Sequence, residues 1–251
     1  MSTDFQGFTV VISGAGSGIG LAVAKKLSAQ GAQIFGLDLS AGELENNGVG
    51  TWIECDIGND ESVKRAFEGI ASKVSKIDVL INNAGIGAQG GVEATTTAEW
   101  NKVLNINVIG TSRVSAAALP LLRLSTDAAI INTCSVVATV GLPNRAIYSA
   151  SKGAVLSLTL AMAADLLSEK IRVNCVNPGT ADTPWVGRLL SQSADPVKER
   201  AALEARQPIG RLVSAEEVAN AIIYLAHPGQ KSTTGTVLAV DGGLHSLNVP
   251  K

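Results

Sequence analysis

The sequence predicts an α/β fold, a doubly wound parallel sheet of about seven strands with helices on both faces. Three observations carry this. Short apolar runs alternate with longer stretches of helical periodicity; the runs are continuously apolar rather than alternating; and no repeat, low-complexity tract or Pro/Ser-rich linker divides the 251 residues. A strand covered by helices on both faces meets no water on either side, so its residues are apolar throughout. Strand and helix taking turns implies right-handed crossovers between parallel neighbours. A single domain over 1–251 is expected.

Strands are expected at 8–13, 33–37, 50–55, 77–81, 128–134, 172–176 and 237–240, with helices near 18–29, 61–74, 97–118, 147–168 and 215–226. In such a sheet, ligands bind beyond the carboxyl ends of the strands. Residues directly after each strand are therefore the first functional candidates.

Composition removes several classes. The formal charge is −2 and no basic block is present, so a nucleic-acid partner has no electrostatic support. Cys55, Cys134 and Cys175 form no CxxC or Cys/His spacing, and the chain has two His. No metal site is expected, and buried thiols in a reducing compartment are. The N-terminus lacks a basic n-region, and no apolar stretch is expected to reach the roughly 18 residues of a membrane span. The expectation is a cytoplasmic protein with no membrane partner.

The first strand runs into Ser13-Gly14-Ala15-Gly16-Ser17-Gly18-Ile19-Gly20 and then a helix. Glycines there permit a tight turn and let backbone N–H groups at a helix N-terminus meet a pyrophosphate. The GxGxxG register fails, because it would need a glycine at Ile19. GxxxGxG fits, with Gly14, Gly18 and Gly20. Asp38 ends the next strand, where a carboxylate accepts hydrogen bonds from adenosine ribose hydroxyls and repels a 2′-phosphate. No Arg or Lys stands at Ser17, Leu39 or Ser40 to neutralise such a phosphate. NAD is therefore expected rather than NADP.

Tyr148 and Lys152 open a helix four residues apart, on one face. A phenol ordinarily titrates near pH 10, and a neighbouring ammonium favours the phenolate. An isolated Tyr-x-x-x-Lys is commonly an exposed pair. Here Ser135, directly after the 128–134 run, supplies a hydroxyl that with the phenol could hold a substrate oxygen.

With these motifs the chain resembles the short-chain dehydrogenase/reductase family over essentially its full length. Further marks are Asp56, Asn82-Asn83-Ala84-Gly85, Asn107-Val108-Ile109-Gly110, and Asn177-Pro178-Gly179 followed by Thr183. Ser13 stands where Thr is usual, which keeps the hydroxyl. The resemblance implies a Rossmann-type fold binding NAD, with Tyr148 as general acid/base. Lys152 would lower the Tyr148 pKa and bind the nicotinamide ribose, Ser135 would orient the substrate oxygen, and Asn107 would hold a relay water. Gly14, Ser17, Gly18, Ile19 and Gly20 would cradle the phosphates. Asp56 and Ile57 would contact adenine, and Asn83, Ala84 and Gly85 would line the cofactor. Pro178, Gly179, Ala181 and Thr183 would hold the carboxamide side.

The resemblance also makes about 183–211 a substrate lid, carrying Trp185, Arg188, Pro196, Arg206 and Pro208. Arg145 sits three residues before Tyr148, so three arginines point to a carboxylate-bearing substrate, which guanidinium groups bind in bidentate fashion. Asn144-Arg145-x-x-Tyr148 with Arg206-Gln207-Pro208-x-Gly210-Arg211 is similar to a subgroup of 2-keto-3-deoxy-L-fuconate dehydrogenases and cytosolic 3-hydroxybutyrate dehydrogenases. Arg188 is one residue out of place for that subgroup. Oxidation of a secondary hydroxyl on a small sugar-derived acid is expected. The alternatives are 3-hydroxybutyrate, an aldose such as L-fucose or L-rhamnose, and a 3-oxoacyl thioester, the last opposed by Asp38. A non-catalytic NAD-binding regulator is the reading from another class, and the set Asn107, Ser135, Tyr148, Lys152 stands against it. Helices near 97–118 and 147–168 are apolar beyond one face, and the resemblance implies a homotetramer packed through them. Whether the 244–251 tail reaches a neighbour stays open.

Overall fold

A computed structural model describes residues 4–45, 48–191 and 193–248. The expectations placed on residues 1–3 and on the end of the 244–251 tail fall partly outside these. Seven strands form one parallel sheet: β1 (Thr9–Ser13), β2 (Gln33–Asp38), β3 (Thr51–Glu54), β4 (Val79–Asn82), β5 (Ala129–Thr133), β6 (Arg172–Pro178) and, numbered ahead of its turn in the chain, β9 (Val237–Val240). Their order is β3-β2-β1-β4-β5-β6-β9. The chain reverses direction of winding between β1 and β4, and a cleft opens there because flanking crossovers leave on opposite sides.

Continuous apolar runs were the strand signal, and the packing shows why. In β1, Val10 and Ile12 enter one core while Val11 enters the other. In β4, Val79 and Ile81 face the first core and Leu80 the second. Successive side chains point to opposite faces, and both faces are covered. On one side lie α1 (Gly18–Ser28) and α8 (Ala215–Ala226). On the other lie α2 (Asp60–Ala71), α4 (Gly110–Leu122) and α5 (Ala146–Asp165). Capping fixes several starts: Asn59 accepts from Ser62 N at 2.9 Å before α2, and Ser214 with Glu217 forms a capping box on α8. Such caps satisfy N–H groups that have no partner within the helix.

Four expectations need correction. The helix near 97–118 is α3 (Thr97–Leu104), one π-turn at Asn105–Ile109, then α4. The 147–168 helix ends at Asp165, before a short 3₁₀ turn at Leu167–Glu169. By length and composition α5 does reach a membrane span, contrary to the expectation; it packs along the sheet and carries Tyr148 and Lys152. The 183–211 stretch is no irregular loop: β7 (Ala181–Asp182) pairs in parallel with β8 (Val213–Ser214), and between them stand α6 (Pro184–Ser191) and α7 (Pro196–Ala205). Val186, Leu190, Leu203 and Leu212 give this pair its own small core. An ion pair from Arg200 to Asp182 at 2.7 Å ties α7 to β7.

Candidate active site

The carboxyl ends of the strands open onto one cleft of about 410 Å³, within the usual range for small-molecule sites. It runs from Asp38 and Asp56 after β2 and β3 to Tyr148, Arg145 and Arg206 beside α5 and α7. The glycine loop forms its floor. Gly14 has φ +69°, and a Cβ there would stand 2.9 Å from Ala84 Cα. A Cβ on Gly20 would overlap Gly14 O and come 2.8 Å from Asn83 Nδ2. Only glycine lets these segments approach so closely. Gly20 packs directly against Gly14 and Asn83 and so lets the loop close on itself.

Asp38 lines the cleft, and its Oδ2 accepts from Gly16 N at 2.9 Å. The carboxylate therefore fixes the glycine loop to the end of β2. The hydroxyl kept at Ser13 has a definite use: its Oγ accepts from Asn83 N and Ala84 N, both at 3.1 Å. Asn83 Nδ2 returns bonds to Ser13 O and Gly14 O. Gly18, Ser17, Ile19, Asp56, Ile57, Ala84 and Gly85 line the same side, and Pro178, Gly179, Ala181 and Thr183 face them from the end of β6. The donors and close-packed backbone thus fit a dinucleotide, with an acid where a ribose would lie.

At the far end, Ser135 follows β5 in extended backbone and is buried. Lys152 is buried too, and its Nζ donates to Thr133 O at 2.8 Å while standing 5.8 Å from the Tyr148 ring centroid. That bond holds the ammonium between the strand end and the phenol. Asn107 sits in the π-turn, a distortion frequent at functional sites. Its Oδ1 accepts from Ile86 N at 2.8 Å, and its Nδ2 donates to Ile86 O at 2.9 Å and Ser151 Oγ at 3.1 Å. Ser151 Oγ in turn donates to Tyr148 O. Asn107 is buried, with its amide bonded to Ile86 of the cleft wall and to Ser151 of α5.

All three arginines line the cleft, with Arg188 the most exposed. Asn144 adopts φ +57°, which Asn tolerates better than most residues, and a bridge from Gly90 to Arg145 pins the backbone there. Burial, then the like charge of Arg206, push the Arg145 guanidinium below its ordinary value, with Tyr148 and Glu199 partly offsetting this. Arg145 and Arg206 are thus near enough to repel.

Sequence reasoning missed the polar layer under the site. Asn82 Nδ2 donates to Asn132 Oδ1 and to Ser115 Oγ, both at 2.9 Å, and Asn132 Nδ2 donates to Thr159. Asparagines inside apolar runs were the available signal. Gln207, also missed, donates to Arg211 O at 2.7 Å and Thr180 O at 3.3 Å, tying the end of α7 to the turn after β6. Of the three thiols, Cys134 lines the cleft, and its contact with Cys175, aided by the Lys152 charge, holds it below its ordinary value. Burial pushes Cys55 up to about 11, and Cys175 is raised first by its contact with Cys134 and then by burial. Among the described residues no cluster of three metal-ligating side chains occurs.

Comparison with known proteins fits this geometry. Residues 14–245 match the family described as Enoyl-(Acyl carrier protein) reductase. The cis-4-hydroxycyclohexanecarboxylate dehydrogenase of Sinomonas cyclohexanicum is 37% identical over 97% of this chain and 98% of its own. The ligand-free aldohexose dehydrogenase of Thermoplasma acidophilum superposes with TM-score 0.91 at 33% identity, covering 100% of both chains. The 3-ketoacyl-(acyl-carrier-protein) reductase of Brucella melitensis, complexed with NADH, does so with TM-score 0.87 at 31% identity, covering 96% of this chain and 99% of that one.

Proposed function

Because the chain belongs to the short-chain dehydrogenase/reductase family, we propose that it is an NAD-dependent dehydrogenase oxidising a secondary hydroxyl of a small carboxylate-bearing molecule. The supporting observation is the pair Arg145 and Arg206, mutually repelling cations in the same cleft as Ser135 and Tyr148. A bound carboxylate relieves that repulsion and takes charge-assisted hydrogen bonds. The sugar-derived acid expected from the sequence, such as 2-keto-3-deoxy-L-fuconate, is one such molecule, and 3-hydroxybutyrate is another. A free aldose or a 3-oxoacyl thioester would leave the arginine pair without its anion.

NAD, when bound, supplies the hydride acceptor. Asp38 holds the adenosine ribose and repels a 2′-phosphate; the glycine loop holds the pyrophosphate; Asp56 and Ile57 flank adenine. Asn83, Ala84 and Gly85 face the 178–183 turn across the nicotinamide end. Ser135 donates to the substrate oxygen, and Tyr148 as phenolate removes the hydroxyl proton as the carbonyl forms. Lys152, fixed by Thr133 O, stabilises that phenolate. Asn107 holds the water that carries the proton onward, and its bonds to Ile86 and Ser151 keep the wall in register. The α6–α7 pair serves as the lid, bringing Arg188 and Arg206 over the substrate.

Asp38 tests the cofactor assignment. In Asp38→Ala the ratio of kcat/KM with NAD to that with NADP is expected to fall by at least about 10-fold, because a like-charge repulsion disappears. An unchanged ratio contradicts it. The protein is further proposed to be cytoplasmic and a homotetramer packed through the α3–α4 segment and α5, where Ile109 of the π-turn and Leu160 of α5 are exposed. Sedimentation as a monomer at micromolar concentration contradicts the assembly.

A further inference from the structure

The substrate end of the cleft is closed by a contact between two distant segments. The indole of Trp185, in the first turn of α6, lies against Gly87 in the loop after β4. A Cβ on Gly87 would overlap Trp185 Cζ2 and stand 2.9 Å from Cε2. Gly87 therefore admits the ring across the cleft, and both residues line it. Trp185 is 40% exposed, so much of its apolar surface is left for something else to cover.

The surroundings say what chemistry would cover it. Ile86, Val137, Leu142, Leu189 and Leu203 line the same cleft as Trp185. The carboxylates and carboxamide that line it, Asp38, Asp56 and Asn83, follow β2, β3 and β4, and Asn83 is committed to Ser13 and Gly14. Beyond Ser135, Tyr148 and the arginines, the cleft is also lined by Thr180 and Thr183 of the turn after β6 and by Lys152 and Thr133, of which Lys152 is committed to Thr133 O and Thr133 to Asn83. A polyhydroxylated chain would bury hydroxyls with few partners, each weakening binding roughly tenfold. A hydrocarbon body would lose nothing and would cover the indole.

We propose that Trp185, seated on Gly87, is the specificity-determining residue of this cleft. It selects a hydroxy acid whose body is a saturated hydrocarbon, a ring or short chain, with its hydroxyl at Tyr148 and its carboxylate at Arg145 and Arg206. This rests on the carboxylate reading above and narrows it away from sugar-derived acids.

The test is NAD reduction with 4-hydroxycyclohexanecarboxylate, 3-hydroxybutyrate, 2-keto-3-deoxy-L-fuconate and gluconate, in the parent protein, Trp185→Ala, Trp185→Phe and Gly87→Ala. In the parent, kcat/KM for the better hydrocarbon acid exceeds that for either sugar acid by about 10-fold or more. Trp185→Ala and Gly87→Ala, one deleting and one displacing the ring, collapse that ratio, while Trp185→Phe keeps most of it. Should Trp185→Ala fail to fold, the Gly87→Ala and Trp185→Phe ratios decide. Turnover of acids without hydrocarbon preference, or an equal loss for every acid in the variants, overturns this inference alone. No turnover of any acid overturns the carboxylate reading with it.

Discussion

Tyr148→Phe is expected to lower kcat by about 10²–10⁴-fold, the usual contribution of a positioned general acid/base, with NADH affinity and circular dichroism unchanged. The substitution removes one oxygen and keeps the ring, so packing at the start of α5 persists. Lys152 would still donate to Thr133 O, and the glycine loop, clamped by Ser13, Gly16 and Asn83, lies on separate elements. Loss of kcat without loss of cofactor binding separates a proton-transfer role from a structural one. A variant retaining activity within a few-fold contradicts Tyr148 as the base.

Arg145→Ala is expected to reduce kcat/KM for acid substrates by about 10–150-fold, the worth of a hydrogen bond to a charged group, and to leave neutral analogues nearly unaffected. Arg206→Ala should behave alike, since the two charges sense each other. Their effects should not add, because both groups serve one carboxylate. Arg188, exposed on α6, should matter less. Equal losses for acids and for their methyl esters would show that the arginines act on the fold rather than on substrate charge.

The sheet was legible because strands such as β4 and β5, buried on both faces, read as unbroken apolar runs. The glycine loop was legible because Gly14 and Gly20 answer to steric contacts that admit no other residue. The α6–α7 pair was missed because no helix is expected within 183–211, where Pro196 stands only as part of the lid. Pro at the first helical position instead marks a helix start, and Asp195, accepting from Lys198 N at 3.0 Å, caps the second helix. The π-turn has no residue-type signature; it shows only in backbone bonding. The Trp185–Gly87 contact joins segments with no shared periodicity, so nothing local announces it. Asn107 was found by its motif, while its bonds to Ile86 and Ser151 join segments that no spacing relates.

The most direct test is steady-state NAD reduction by the parent protein with small secondary hydroxy acids, each paired with its methyl ester. A carboxylate-anchored, NAD-dependent dehydrogenase predicts NADH formation with at least one acid, at a kcat/KM about 10-fold or more above its ester. Equal efficiency for acid and ester, or NADH formation from neutral alcohols only, would contradict it.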